Sequence, residues 1–170
     1  MSFKLTNTPN LEECSIVSKW IDHENKIHWP HMIPITAKEL FSSIQHHGWL
    51  VARHENTWMV AGMVKLSQLH DDLGIYEWWS LFVMPQFRWR KLWHLLIRGI
   101  VEQFHRKSLL MVTNVPQVIQ VSSHDPNQSE VTKERIWPKL LQVIEWPQPL
   151  LSNDRIFINQ AMKKRIELIG

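Results

Sequence analysis

The spacing of apolar residues predicts that the chain begins with a short strand and two helices. FKLT is expected to be the strand, and apolar residues between Leu11 and His23 recur at close to the helical period. A second helix is predicted from Ala37 to His46. Its start is indicated by Thr36 and Glu39, which have the spacing of a capping box.

The period then changes to one that is typical of strands. Trp49 to Arg53 and Met59 to Ser67 are predicted strands, and the polar turn between them indicates an antiparallel hairpin. Ile75 to Val83 is predicted to be a longer strand, which Pro85 ends. The clearest helical period in the chain follows, from about Trp89 to Arg106.

The remaining third of the chain carries weaker patterns. Leu109 to Val115 is predicted to be a buried strand, and Pro116 opens a short helix. We interpret three further segments as a polar loop, a helix interrupted at a proline, and a turn followed by a strand: SSHDPNQSE, VTKERIWPKLLQVIEW and NDRIFIN. The element order, β-α-α-β-β-β-α-β-α and then one more helix and strand, predicts a mixed α/β fold with one parallel crossover.

Composition narrows the class of protein. The 170 residues are 44% hydrophobic, which suits one domain spanning residues 1–170. No apolar run is long enough for a membrane span, and the N-terminus has no signal pattern, so a cytoplasmic location is expected. A single cysteine, Cys14, excludes a disulfide framework. The net charge of +3 suits an anionic ligand but does not by itself indicate nucleic acid.

The junction between the long strand and the following helix carries a family resemblance. FVMPQFRWRKLWHLLIRGIVE is similar to the cofactor motif of the GNAT superfamily of acyl-CoA-dependent N-acyltransferases, with matches at Val83, Pro85, Phe87, Arg88 and the Leu95-Leu96 pair. The resemblance covers roughly 37–121 and is strongest over 77–96. It implies a mixed, mostly antiparallel sheet flanked by helices. It also implies transfer of an acyl group from acetyl-CoA, or another acyl-CoA, to a primary amine.

The sequence departs from that motif at its glycines. The two glycine positions of the family fall on Lys91 and Trp93, and a frequent third falls on Trp89. Glycine there lets the N–H groups of a helix N-terminus approach a pyrophosphate closely. Basic side chains can hold the phosphates instead. Trp93 either turns into the core or lies across the path of the cofactor.

The resemblance also implies a set of cofactor-binding residues. Backbone N–H groups at the end of the strand would hold the thioester carbonyl, the turn would hold the phosphates, and an asparagine follows the next strand. Carried over by position, these are Leu81, Phe82, Val83, Arg88, Trp89, Arg90, Lys91, Leu92, Trp93 and Asn114.

Glu77 is the candidate general base. In the family resembled, a glutamate on this strand often takes the proton from the amine, directly or through water. Burial within the apolar run IYEWWSLFV would raise its pKa into a useful range. The alternative is a glutamate on the solvent face of an alternating strand.

The general acid is less clear. The tyrosine that the family often uses falls on Val121, and the one tyrosine of the chain, Tyr76, lies on the long strand. Ser122, Ser123 and His124 are the nearby polar residues. Each is expected to be an ordinary loop residue.

The sequence also leaves room for a non-catalytic protein, a nucleic-acid site and a metal site. A GNAT-like chain without its glycines can be a binding or regulatory protein that has lost catalysis and normal CoA binding. RWRKLW can bind nucleic acid by stacking and phosphate contacts, but it is short and the net charge is modest, so nucleic acid is not an expected partner. His28, His31, His46 and His47 form only a weak metal signal, and no metal is expected.

The partner predicted from the sequence is a small-molecule or peptide amine. The acceptor itself, the acyl chain and the oligomeric state stay open, a homodimer included.

Overall fold

Seven strands form one mixed sheet within residues 2–27, 35–144, 146 and 150–169, which the computed structural model describes. They are β1 (Phe3–Thr6), β2 (Trp49–His54), β3 (Val60–His70), β4 (Ile75–Val83), β5 (Ser108–Thr113), β6 (Gln128–Val131) and β7 (Arg155–Asn159). The order across the sheet is β1-β2-β3-β4-β5-β7-β6. Neighbouring strands are antiparallel, except that β4 and β5 are parallel. The predicted mixed, mostly antiparallel sheet is confirmed.

The described residues also form six α-helices and one 3₁₀ helix. These are α1 (Leu11–Ile27), α2 (Ala37–His47), the 3₁₀ helix (Pro85–Arg90), α3 (Leu92–Gln103), α4 (Pro116–Ser123), α5 (Lys133–Leu140) and α6 (Gln160–Ile169). The predicted capping box opens α2: Glu39 N donates to Thr36 Oγ1 at 3.3 Å, and Thr36 N donates to Glu39 Oε2 at 2.8 Å. None of the described helices is both long and apolar enough to cross a membrane.

The parallel strands β4 and β5 share only a short stretch of sheet. Ile75, Tyr76 and Glu77 pair with 108–110 of β5. Farther on, β4 remains paired with β3 as far as Val83, whereas β5 pairs with β7. The described sheet therefore opens into a split between the second half of β4 and the end of β5.

Helices cover the sheet on both faces. On one face α3 packs very closely, because a Cβ atom on Gly99 would lie 2.6 Å from side-chain atoms of Leu5 and Leu50. Side chains alternate along β2, so Arg53 points to the opposite face. There its guanidinium pairs with Glu13 of α1 at 2.6 Å.

Two predictions about the elements were wrong, and one helix was not predicted. The long helix begins at Leu92 and not near Trp89, because a 3₁₀ helix precedes it. Strand β6, QSEV, takes in the end of the predicted polar loop and the first residue of the predicted helix after it, because its backbone pairs with the apolar β7. Helix α6 was not predicted, although Met162 and Ile166 are buried one turn apart in the cluster that contains Leu110.

Candidate active site

Glu77 lies where β4 and β5 part. It pairs with Leu110 on one side and with Ser67 of β3 on the other. The residue is half-buried, and burial raises the pKa of its carboxyl to about 8. No charged or hydrogen-bonding group among the described residues contributes to that shift. The carboxyl can therefore exchange a proton close to neutral pH.

β4 contains an irregularity just after this point. Met63 of β3 pairs with Phe82, and Lys65 pairs with Trp79, so two steps along β3 correspond to three along β4. An extra residue of this kind bends a strand and leaves a backbone group unpaired. Leu81 lies within the bulge. The side chains of Phe82 and Val83 are buried, so these two residues can offer a ligand only their backbone.

The turn into α3 keeps a backbone conformation that favours glycine. Lys91 has φ 54° and ψ 24°, in the left-handed region, although it is not glycine. This is one of the family's glycine positions, and the exposed Lys91 side chain points away from the core. Helix α3 then begins with no side-chain cap. Its first N–H groups therefore receive no side-chain acceptor.

Arg88 is bound to protein groups on two sides. Its Nε donates to the Val83 carbonyl oxygen at 3.2 Å, and its Nη2 lies 2.8 Å from Oε1 of Glu24 on α1. Glu24 is buried. The exposed Lys91 side chain, in contrast to Arg88, has no protein partner among the described residues.

The large residues at the helix start separate into two groups. Leu92 is buried in the core, and Trp93 is half-buried and packs against the same core cluster. The backbone of Trp89 and Arg90 belongs to the 3₁₀ helix, whereas their side chains lie outside the described part of the structure.

The region expected to supply a general acid is apolar at its key position. Asn114 follows β5 and is half-buried, and Val121 is buried on α4. Next to it, the Oγ atom of Ser122 is buried without a hydrogen-bond partner in the described structure. The Ser122 hydroxyl is therefore a buried polar group beside the position where the family often has its tyrosine.

The structure also contains a pocket beside α1 that the sequence analysis did not predict. It has a volume of about 300 Å³, and its described lining consists of Lys19, Trp20 and His23. The Trp20 ring lies 6.4 Å from the ring of Phe82, which places the pocket next to the bulged part of β4. The i, i+3 spacing of Trp20 and His23 is the sequence signal for this pocket, because it places an aromatic ring and an imidazole on one side of the helix.

The histidines and Cys14 are the remaining candidates for metal or thiol chemistry. The described residues contain no group of three or more His, Cys, Asp or Glu side chains able to hold a metal ion. His28 and His31 lie outside the described residues, as do the side chains of His46 and His47. Cys14 is buried, and burial together with the Glu13 charge raises the pKa of its thiol to about 11.

Comparison by sequence finds no match, whether with protein-family models or with curated proteins. Comparison by structure does. The Salmonella typhimurium protein yncA, solved with its cofactor acetyl-CoA, has a TM-score of 0.63 at 12% identity, covering 95% of each chain. The chain has the GNAT fold.

Two further structures carry the same fold. A GNAT superfamily phosphinothricin acetyltransferase from Sinorhizobium meliloti, in complex with AcCoA, has a TM-score of 0.62 at 16% identity, over 94% of this chain and 88% of that one. N-acetylglutamate synthase from Neisseria gonorrhoeae, complexed with coenzyme A and N-acetyl-glutamate, has a TM-score of 0.62 at 10% identity. That likeness covers 94% of this chain and 35% of the synthase.

Within the GNAT fold, the matched motif residues occupy one continuous stretch of backbone. Val83 ends β4, Pro85 opens the 3₁₀ helix, and Phe87 is buried within it. The resemblance seen in the sequence therefore corresponds to a real strand–turn–helix junction, placed beside the split of the sheet.

Proposed function

We propose that the chain is an N-acyltransferase that moves the acyl group of acyl-CoA, most simply acetyl-CoA, to a primary amine. The observation that carries this proposal is the position of Glu77, a carboxyl with a raised pKa at the apex of the split between β4 and β5. The coenzyme A and acetyl-CoA complexes of the neighbours in the GNAT fold support the choice of cofactor.

The proposed reaction assigns a role to each part of the site. The Glu77 carboxylate takes a proton from the ammonium group, directly or through water, and the free amine attacks the thioester carbonyl. A backbone N–H at the bulge, among Leu81, Phe82 and Val83, donates to the carbonyl oxygen as it becomes negative. The C–N bond forms, the C–S bond breaks, and the thiolate takes the second amine proton.

The remaining predicted residues would hold the cofactor. Backbone N–H groups from Trp89 to Trp93 would contact the pyrophosphate, with the Lys91 and Arg90 side chains adding positive charge. Asn114 would lie on the far side of the split. The left-handed turn kept at Lys91 argues against the alternative in which the fold has lost CoA binding.

The acceptor is proposed to be a small-molecule or peptide amine that enters beside Trp20 and His23. Phosphinothricin and glutamate, named for two neighbours, are small amino acids, and we include such compounds among the candidates. A cytoplasmic location and a single domain are retained as proposals.

Calorimetric titration tests the cofactor, and an amine panel tests the reaction. Coenzyme A and acetyl-CoA should bind with dissociation constants between about 1 μM and 1 mM and raise the melting temperature. Short single-stranded DNA should do neither. Protection by DNA alone would favour the nucleic-acid alternative, and CoA binding without transfer to any amine would favour a non-catalytic protein.

A further inference from the structure

Helix α1 contacts the turn between β4 and α3 through an ion pair to which the proposed reaction assigns no role. Glu24 is 9% exposed, and its Oε1 atom lies 2.8 Å from Nη2 of Arg88. Arg88 also donates from Nε to the carbonyl oxygen of Val83 at 3.2 Å. One guanidinium therefore joins the end of β4 to a helix 64 positions earlier in the chain.

This pairing makes Arg88 a poor ligand for a phosphate. To reach one, the guanidinium would have to leave Glu24, and a buried carboxylate without its partner is strongly unfavourable. The pair is therefore better suited to fixing the turn. Arg88 lies three positions before Lys91, the residue with the left-handed backbone that sets the start of α3.

A second contact from the same helix reinforces the first. Trp20 precedes Glu24 by one turn of α1, so the two side chains lie on the same side of the helix. Trp20 packs against Phe82, and Glu24 holds Arg88. Helix α1 thus contacts both the bulged end of β4 and the 3₁₀ helix that follows it.

We propose that Glu24 is a positioning residue: acting through Arg88, it holds the turn from Val83 to Trp93 in the form that binds the cofactor. This inference rests on the proposed function for its ligand, coenzyme A. Glu24 itself contacts no cofactor. Its effect on affinity must therefore pass through Arg88.

The chain offers a matched control. Glu13 also lies on α1 and is similarly buried. It pairs with Arg53 of β2 at 2.6 Å and makes no contact with the turn from Val83 to Trp93 among those described. Glu24→Gln and Glu13→Gln each remove the charge of a buried carboxylate on α1. The partner is the half-exposed Arg88 of the 3₁₀ helix in the first case and the buried Arg53 of β2 in the second. Only Glu24→Gln should weaken coenzyme A binding by about tenfold or more, with kcat at saturation nearly unchanged.

Two further measurements separate positioning from general stability and from failure of the proposed function. Arg88→Gln should weaken binding as well, and the double variant should be no weaker than Arg88→Gln alone. Without any ligand, hydrogen exchange in 85–93 should become faster in Glu24→Gln and not in Glu13→Gln. Unchanged exchange in Glu24→Gln, or equal effects of the two variants, would overturn the proposal. Failure of the wild type to bind coenzyme A overturns the proposed function, and the exchange experiment still decides the role of Glu24.

Discussion

Glu77 of β4 pairs with Leu110 of β5 at the last position that the two strands share. One step farther, β4 continues along β3 and β5 continues along β7. The carboxyl therefore lies where the sheet opens, in surroundings that raise its pKa to about 8. A group that can accept a proton is thus placed at the point where the two parallel strands stop pairing.

Replacement of the proposed base should slow the reaction without loss of the cofactor. We expect Glu77→Gln to lower kcat by about 10²-fold or more and to leave coenzyme A affinity nearly unchanged. Because the base acts when ionised, wild-type kcat/KM should rise with pH up to about 8, and this limb should be absent in the variant. An unchanged pH–rate profile in Glu77→Gln would remove the residue from the mechanism.

The same carboxyl should make stability depend on pH. Its raised pKa means that the folded protein holds the proton to higher pH than the unfolded chain, whose glutamates titrate near 4.5. Wild-type stability should therefore fall between about pH 4.5 and 8, relative to Glu77→Gln. Urea unfolding at several pH values measures this.

Glu39 supplies a control of opposite sign. Hydrogen bonds from Thr36 lower the pKa of its carboxyl, so it adds stability above pH 4.5 that is lost as the pH falls through the folded-state pKa. Glu39→Gln should thus be less stable than wild type at neutral pH and match it in acid. The same trend for both variants would contradict the assignment of Glu77.

The backbone at Lys91 gives a prediction that separates conformation from charge. A non-glycine residue in the left-handed region is strained by about 1 kcal/mol. Lys91→Gly should consequently be more stable than Lys91→Ala by about 1 kcal/mol in urea unfolding. Both variants lack the charge, so any loss of coenzyme A affinity common to the two reports on the ammonium group. Equal stabilities would mean that the left-handed turn is not kept in solution.

Trp93 is expected to act in packing more than in binding. Because its half-buried ring packs against the core, Trp93→Ala should lower the free energy of unfolding by about 2–4 kcal/mol, with coenzyme A affinity retained. Leu168→Ala, at a site 81% exposed, should change stability by less than about 0.5 kcal/mol. Coenzyme A binding at least about tenfold tighter to a folded Trp93→Gly variant would show instead that the ring obstructs the site.

The Asn159 side chain links the end of β7 to the start of β5 and to α6, so we expect it to contribute strongly to the stability of the fold. Its Oδ1 accepts from Leu109 N at 3.0 Å and Met162 N at 2.9 Å, and its Nδ2 donates to the carbonyl oxygen of Lys107 at 2.8 Å. Asn159→Ala leaves these buried groups unpaired and should cost about 3 kcal/mol of stability. The exposed Asn153→Ala is the control. A loss below about 1 kcal/mol would mean that water replaces the amide.

Local signals identified the parts of the molecule whose structure depends on nearby residues. Thr36 and Glu39 cap a helix through atoms only three positions apart, and the run from Ile75 to Val83 is a strand with the predicted bounds. β6 gave no such signal, because QSEV becomes a strand only by pairing with the apolar residues of β7. The 3₁₀ helix was not predicted. Within it Phe87 is buried in the core and Arg88 donates to the Val83 carbonyl oxygen, and neither contact is visible in the sequence pattern.

The sequence by itself determined the order of most elements and the strand–turn–helix motif, because periodicity and short motifs are properties of neighbouring residues. The family resemblance carried by that motif is what made Glu77 a candidate base. Only the tertiary structure decided that β4 and β5 part at Glu77, that Trp93 packs against the core, and that Arg88 is held by Glu24. Those contacts join residues far apart in the chain. They exist only once the sheet has assembled and helix α1 has packed on it.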